Sequence, residues 1–218
     1  MTGRAYARAR RWTDVVCAGT LAVLLLPVIL VVLTLIRWRM GSPVLFRQLR
    51  PGIDQKPFQL LKFRTMVDAN GPTGELLPDA QRLTPLGRSL RRWSLDELPT
   101  LLNVIRGDMS LVGPRPLLMR YLPYYTDRER ARFSVPPGLT GWAQVNGRNN
   151  APWSERLERD VWYVENRNPW LDFKILLRTP LNVFRGQDVV VDARSIMRNL
   201  DEERSRADVE VAGDHDGR

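Results

Sequence analysis

The sequence predicts an α+β protein, mostly helical, whose N-terminal segment is seated in a membrane. Three observations carry that expectation. Residues 15–36 form an uncharged apolar run. Val44–Gln48 and Phe58–Phe63 look like short strands, with a turn around Pro51-Gly52 between them. Beyond residue 85, apolar positions recur at helical spacing in stretches cut short by proline.

The apolar run, VVCAGTLAVLLLPVILVVLTLI, has 22 residues. A straight helix of that length reaches about 33 Å, enough for a hydrocarbon core of about 30 Å. It exceeds a signal-peptide core, and no small-x-small cleavage site follows it. Pro27 removes a backbone donor near its middle and pushes Leu26 away from helical geometry. Arg4, Arg8, Arg10 and Arg11 precede the run, and Arg37, Arg39, Arg47 and Arg50 follow it. Both flanks therefore carry the cytoplasmic signature. A hairpin bent at Leu26-Pro27 satisfies both, each arm reaching about 17 Å to the bilayer midplane. A slightly kinked spanning helix is the competing arrangement.

After the two strands, residues 68–85 read as a Gly/Pro-rich loop. Helical patterns follow at 86–93, 97–106, 116–125, 153–167 and 171–185. Some of these suit the headgroup surface, with Trp153, Trp162 and Trp170 as interfacial anchors, and a core-facing role is an equal alternative for any one of them. The expected division is a membrane segment over 1–40, a second unit over 41–200 and a disordered acidic tail over 201–218. That tail holds seven acids and three Arg, net −4, which leaves +13 for the first 200 residues of a chain carrying +9.

Composition restricts the chemistry. One Cys (Cys17) and one His (His215) exclude an intrachain disulfide, a Cys/His zinc site and Ser-His-Asp or Cys-His catalysis. Carboxylates, Lys or hydroxyls must carry any acid–base or nucleophilic step. Of 33 basic residues only Lys56, Lys62 and Lys174 are Lys. The Arg excess favours phosphate-rich partners. A nucleic-acid partner is not expected, because that role needs a basic helix or an aromatic sheet face and the arginines are dispersed.

Four constellations are candidates. In RRWSLDELPTLLNVIRGDMSLVGPRP, residues 91–116, Asp96 and Glu97 lie between Arg91-Arg92 and Arg106/Arg115. Ser94-x-x-Glu97 also fits a capping box, with Ser94 as N-cap. The two readings are compatible, since a helix N-terminus binds phosphate and keeps an Asp ionised. Lys62 and Arg64 alternate onto one strand face about 7 Å apart, as either a cation pair or a charged strand edge. Two prolines stiffen the backbone around Arg115. PGLTGWAQVNG, residues 137–147, is a Gly-rich loop without Walker or dinucleotide spacing.

Taken together, KFRTM, SLDELPTLLNVIRGDMSLVGPRP and PGLTGWAQVNGR closely resemble the bacterial sugar transferases, the monotopic phosphoglycosyl transferases. The likeness runs through about residues 10–190, and the chain looks like the small, catalytic-domain form. It implies a re-entrant membrane helix broken near Pro27, surface amphipathic helices and a catalytic domain on the cytoplasmic face of the inner membrane. It also implies transfer of a phospho-sugar from a UDP-sugar to polyprenyl (undecaprenyl) phosphate, with UMP released, to prime exopolysaccharide or other cell-surface glycan synthesis. By the same resemblance Asp96 is the nucleophile, forming an aspartyl phospho-sugar, and Glu97 holds Mg²⁺. Lys62, Arg64, Arg91 and Arg115 answer phosphate charge. Asp160 and Tyr163, in ERDVWYVEN, match a further polar motif. A scaffold on anionic lipid, with Asp96-Glu97 only capping a helix, is the alternative.

Overall fold

Helices α1 (Gly3–Leu24) and α2 (Leu26–Met40) meet at a 63° bend around Leu25. In this computed structural model, residues 3–146, 151–184 and 199–205 are described. Pro27 explains the bend: it sits in the first turn of α2, where its missing N–H is tolerated, and cannot continue the ladder of α1. Neither helix alone is long and apolar enough to cross a membrane, whereas the bent pair is, by length and composition. Leu24, Leu30 and Val31 lie exposed around the bend, while Val32 and Ile36 pack inward against Phe63 and Leu90.

The polar first half of α1 docks onto the rest of the chain. Arg10 donates to Ser110 Oγ (2.9 Å) and to the Val112 carbonyl, and Arg11 donates to the Val104 and Ile105 carbonyls (2.5 and 2.6 Å). Asp14, buried in mid-helix, accepts from Ser110 Oγ (2.7 Å) and the Leu111 amide (3.0 Å). Tyr6 reaches Asp172 Oδ2 at 2.8 Å.

Strands β1 (Leu45–Pro51) and β2 (Pro57–Phe63) form an antiparallel hairpin from Leu45↔Phe63 to Pro51↔Pro57. The strand continues through Pro51, and the turn lies at Ile53–Gln55, where Asp54 and Gln55 adopt positive φ. The 68–85 stretch is a loop with two isolated bridges and one helical turn, α3 (Asp79–Arg82). Helix α4 (Pro85–Arg92) starts at Thr84, whose hydroxyl accepts from the Gly87 amide. A Cβ at Gly87 would lie 1.9 Å from the Thr65 carbonyl oxygen, so glycine permits α4 to press on the end of β2.

Helix α5 (Thr100–Arg106) ends at Gly107, whose φ of 98° makes the left-handed C-cap. Strand β3 (Ser110–Val112) pairs in parallel with β4 (Gly138–Thr140), register Ser110↔Gly138 and Val112↔Thr140. Between them lie a 3-10 turn over Met119–Tyr124, interrupted by Pro123, and the capped turn α6 (Asp127–Arg130). The expected 116–125 helix is this 3-10 turn. α7 (Trp142–Asn146), α8 (Trp153–Asn166) and α9 (Pro169–Phe184) complete the mostly helical α+β architecture.

The main core joins α1, α5, β3, α8 and α9 through Ala18, Val104, Leu111, Tyr163 and Ile175. Trp153, expected at a lipid interface, instead packs edge-on against Tyr121 in a second core. Trp162 is partly exposed and stacked on Trp142, and Trp170 is exposed. The acidic segment begins as helix over 200–205 rather than as a disordered tail. There Leu200 is buried and Arg204 bonds Glu129 Oε1 at 2.6 Å. Residues 206–218 lie outside the described residues.

Candidate active site

Helix α5 closes the outer edge of β2 with side chains. Asn103, fully buried, accepts from the Leu61 amide (3.0 Å) and donates to the Gln59 carbonyl (2.7 Å). Thr100 donates to the Leu61 carbonyl at 2.8 Å. These bonds replace a third strand and fix the backbone from which Lys62 projects.

Facing Lys62 is the 3-10 turn Leu95–Glu97, reached through Ser94 in left-handed geometry (φ 52°). Ser94 makes no side-chain cap bond, and α5 begins only at Thr100, after Pro99. The expected capping box is therefore absent. Its Glu97 carboxylate turns instead to two cations: Lys62 Nζ stands 2.6 Å and Arg115 Nη2 2.7 Å from the same oxygen, Oε1. Lys62 Nζ is also 3.8 Å from Asp96 Oδ2. Arg91 donates from Nε to Thr65 Oγ1 (3.1 Å), on the same side as Asp96 and close enough to bias its charge.

Arg115 projects from a braced turn. Its own carbonyl accepts from Arg132 Nη2 (2.6 Å), the Pro116 carbonyl from Arg50 Nη1 (3.3 Å) and the Pro114 carbonyl from the Gly138 amide (3.0 Å). Burial, reinforced by Arg115, pushes the Arg50 guanidinium down to about 10. The two carboxylates are driven apart. Burial alone would raise Glu97, but Arg115 and Lys62 overcome it and hold Glu97 far below the usual carboxylate range. Asp96, only 7% exposed, is pushed up by burial and by Glu97, with Lys62 opposing. The 3-10 turn that contains it is three residues long, too short to supply the helix-dipole stabilisation expected for this Asp.

Lys62, Arg91 and Arg115 thus converge on Asp96 and Glu97, and three expected residues do not. Arg64 turns away, donating to the Met40 and Ser42 carbonyls (3.4 Å each), the Met66 carbonyl (2.9 Å) and Asp68 (2.9 Å), so it ties the end of α2 to the following loop. Asp160 pairs with Arg132 at 2.8 Å, and that residue in turn grips the Arg115 carbonyl. Tyr163 is buried in the core and donates to Asp172 at 2.6 Å. Arg132 and Asn103 are not among the residues the sequence singles out, and Arg50 stands there only as a charge flanking the apolar run. An Asn inside the apolar helix LLNVI was the one available signal, because such a residue needs a partner.

A family model described as bacterial sugar transferase matches residues 5–186. The chain belongs to that family. The uncharacterized sugar transferase EpsL of Bacillus subtilis is 54% identical over 162 residues, 74% of this chain and 80% of that one. The UDP-glucose:undecaprenyl-phosphate glucose-1-phosphate transferase of Caulobacter vibrioides is 43% identical over 180 residues, 78% of this chain and 67% of that one. The Escherichia coli protein of that name is 36% identical over 187 residues, 81% of this chain but 40% of that one. All the site residues fall inside the bacterial sugar transferase match, and the turn over 200–205 falls outside it. As a bacterial sugar transferase the protein is a transferase.

Proposed function

We propose that this protein moves a phospho-sugar from a UDP-sugar to undecaprenyl phosphate, releasing UMP, and so primes a cell-surface glycan such as an exopolysaccharide. The observation that carries the reading is the Asp96–Glu97 pair held by Lys62 and Arg115. It lies within a stretch shared with relatives named for this transfer.

The Asp96 carboxylate attacks the sugar-bearing phosphorus; an oxygen–phosphorus bond forms as the bond to the UMP oxygen breaks. A phosphate oxygen of the prenyl acceptor then attacks the same phosphorus, the bond to Asp96 breaks and the carboxylate is restored. Lys62, Arg91 and Arg115 offset the charge on the equatorial oxygens, the main requirement of phosphoryl transfer. The different environments of the two carboxylates suit different tasks: the less stabilised Asp96 anion attacks, while Glu97 stays anionic.

Mg²⁺ fits this donor set. Both cations meet Glu97 at Oε1, at 2.6 and 2.7 Å, and carboxylate oxygens are the hard donors that Mg²⁺ takes. No group of three or more His, Cys, Asp or Glu able to hold a metal is found among the described residues. Glu97, with Asp96 beside it, would therefore hold the ion together with substrate phosphate oxygens and water, the usual manner of Mg²⁺. Bound there, it would neutralise charge on the diphosphate. The bent α1–α2 pair is the membrane segment in this reading, re-entrant from the cytoplasmic face of the inner membrane, and the unit over 41–200 is catalytic.

The test is UMP release by protein in nanodiscs with Mg²⁺, undecaprenyl phosphate and a panel of UDP-sugars. UMP from a donor, lost in Asp96→Asn, is the expected result. No UMP from any donor with folded wild-type protein overturns the proposal.

A further inference from the structure

A cleft of about 420 Å³ separates α2 from α4, walled by Val28, Val31 and Leu35 on one side and by Leu86, Leu90 and Leu95 on the other. That volume falls in the usual range for ligand sites, about 300–1,000 Å³. The chemistry so far described does not use it. Ser89 supplies the one hydroxyl among its lining residues and directs it to the Pro85 carbonyl (3.2 Å), inside its own helix. Trp93, 45% exposed, and Val31, 58% exposed, leave the cleft open along one side.

Such walls reject a sugar nucleotide, whose hydroxyl and phosphate groups would lose their water and gain no hydrogen bond. They suit a hydrocarbon. Position says which hydrocarbon: Leu95 is one of the lining residues and Asp96 is the next residue, one Cα step of about 3.8 Å along the chain, so the Leu95 side is the end taken here as facing the carboxylate. An occupant with a phosphate head at that end meets Lys62 beside the Asp96 carboxylate. We infer that the α2–α4 cleft holds the first isoprene units of the polyprenyl phosphate acceptor, so that its phosphate enters the site past Leu95. The inference rests on the acceptor named under Proposed function. Chemistry favours an apolar surface in such a place, since the acceptor oxygen must come within bonding distance of a phosphorus carried on Asp96. The prenyl carbons nearest that oxygen must then lie on apolar surface adjoining Asp96.

The test uses the full chain in nanodiscs of phosphatidylethanolamine and phosphatidylglycerol, with an undecaprenyl phosphate analogue carrying a diazirine on its first isoprene units. Photoadducts are expected on peptides spanning 27–35 and 86–95. Undecaprenyl phosphate should displace them, and phosphatidic acid, a phosphate head on acyl chains, should not. Adducts elsewhere, or equal displacement by phosphatidic acid, overturn the inference; the latter makes the cleft a general lipid site. In the kinetic arm, Ser89→Trp fills the cleft from an exposed position. It should raise the KM for undecaprenyl phosphate at least tenfold while the KM for the UDP-sugar and the behaviour of Ser89→Ala stay as in wild type. An unchanged acceptor KM in folded Ser89→Trp counts against the cleft. Should that variant not fold, Val31→Trp blocks it from the opposite wall. Adducts in the cleft of a protein that turns over no UDP-sugar would uphold the prenyl site and refute the proposed reaction, so the two failures are distinguishable.

Discussion

Arg132 reaches the Asp160 carboxylate at 2.8 Å, with the two side chains only 2% and 7% exposed. The same guanidinium holds the Arg115 carbonyl and contacts the Tyr125 hydroxyl at 3.0 Å. Asp160 therefore compensates a buried charge on which the Arg115 turn depends, at a distance from the carboxylate pair.

Asp160→Asn leaves that charge uncompensated. Removing one partner of a buried ion pair typically costs about 3–5 kcal/mol, a drop in Tm of roughly 6–20 °C for a chain of this size. Differential scanning fluorimetry in detergent measures it. The double variant Asp160→Leu/Arg132→Met should recover much of the Tm but little turnover, because the Arg132 bond to the Arg115 carbonyl is then lost. A Tm within 2 °C of wild type for Asp160→Asn would show that the pair carries little.

The raised Asp96 carboxyl sets the direction of the pH profile. A carboxylate nucleophile works only when deprotonated, so kcat/KM should fall as pH drops through the Asp96 pKa. That acid limb should lie above the ordinary Asp value, since burial and Glu97 push the group up. Lys62 opposes the shift, and Lys62→Met should move the limb to still higher pH in its residual activity. A limb moving to lower pH contradicts the assignment.

Arg115→Ala removes one of the two cations on Glu97 and, under the proposed reaction, a donor toward phosphate. Loss of a single preorganised donor usually lowers kcat by about 10²–10³-fold. Arg115→Lys should restore only part of this, because an ammonium lacks the planar fork. Steady-state UMP release decides the matter, and a loss below threefold in Arg115→Ala would remove Arg115 from the phosphate machinery.

The bend around Leu25 predicts a topology. Reporter tags at residue 1 and residue 218 should both mark the cytoplasm, as both arginine-rich flanks require. A periplasmic N-terminus would show that the α1–α2 pair crosses the membrane instead.

Much of the site was legible because Asp96, Glu97 and Arg115 lie in one stretch and Lys62 projects from a strand with a clear pattern. Arg64 leaves the cluster for a local reason: alternation sets the face a side chain leaves from, while a long guanidinium follows the nearest carbonyls. Asp160 and Tyr163 read as polar motif residues, and only packing shows that they serve Arg132 and Asp172. The parallel β3–β4 pair was hidden by its length, three residues each, and by partners far apart in sequence. The Ser94 capping pattern lost to a left-handed residue, which frees Glu97 for the cations.

The docking of α1 bears on how such a protein is handled. Trimming a greasy N-terminus is a common shortcut to soluble material, and here it would remove structure. A chain starting at residue 41 would lose the Arg11 guanidinium that caps the last carbonyls of α5 and the Asp14 carboxylate that takes the Leu111 amide. It would also uncover Val104 and Leu111, which Ala18 helps to bury. The leading helix is therefore part of the folding unit, and any preparation that keeps the fold also keeps the exposed apolar residues around its bend.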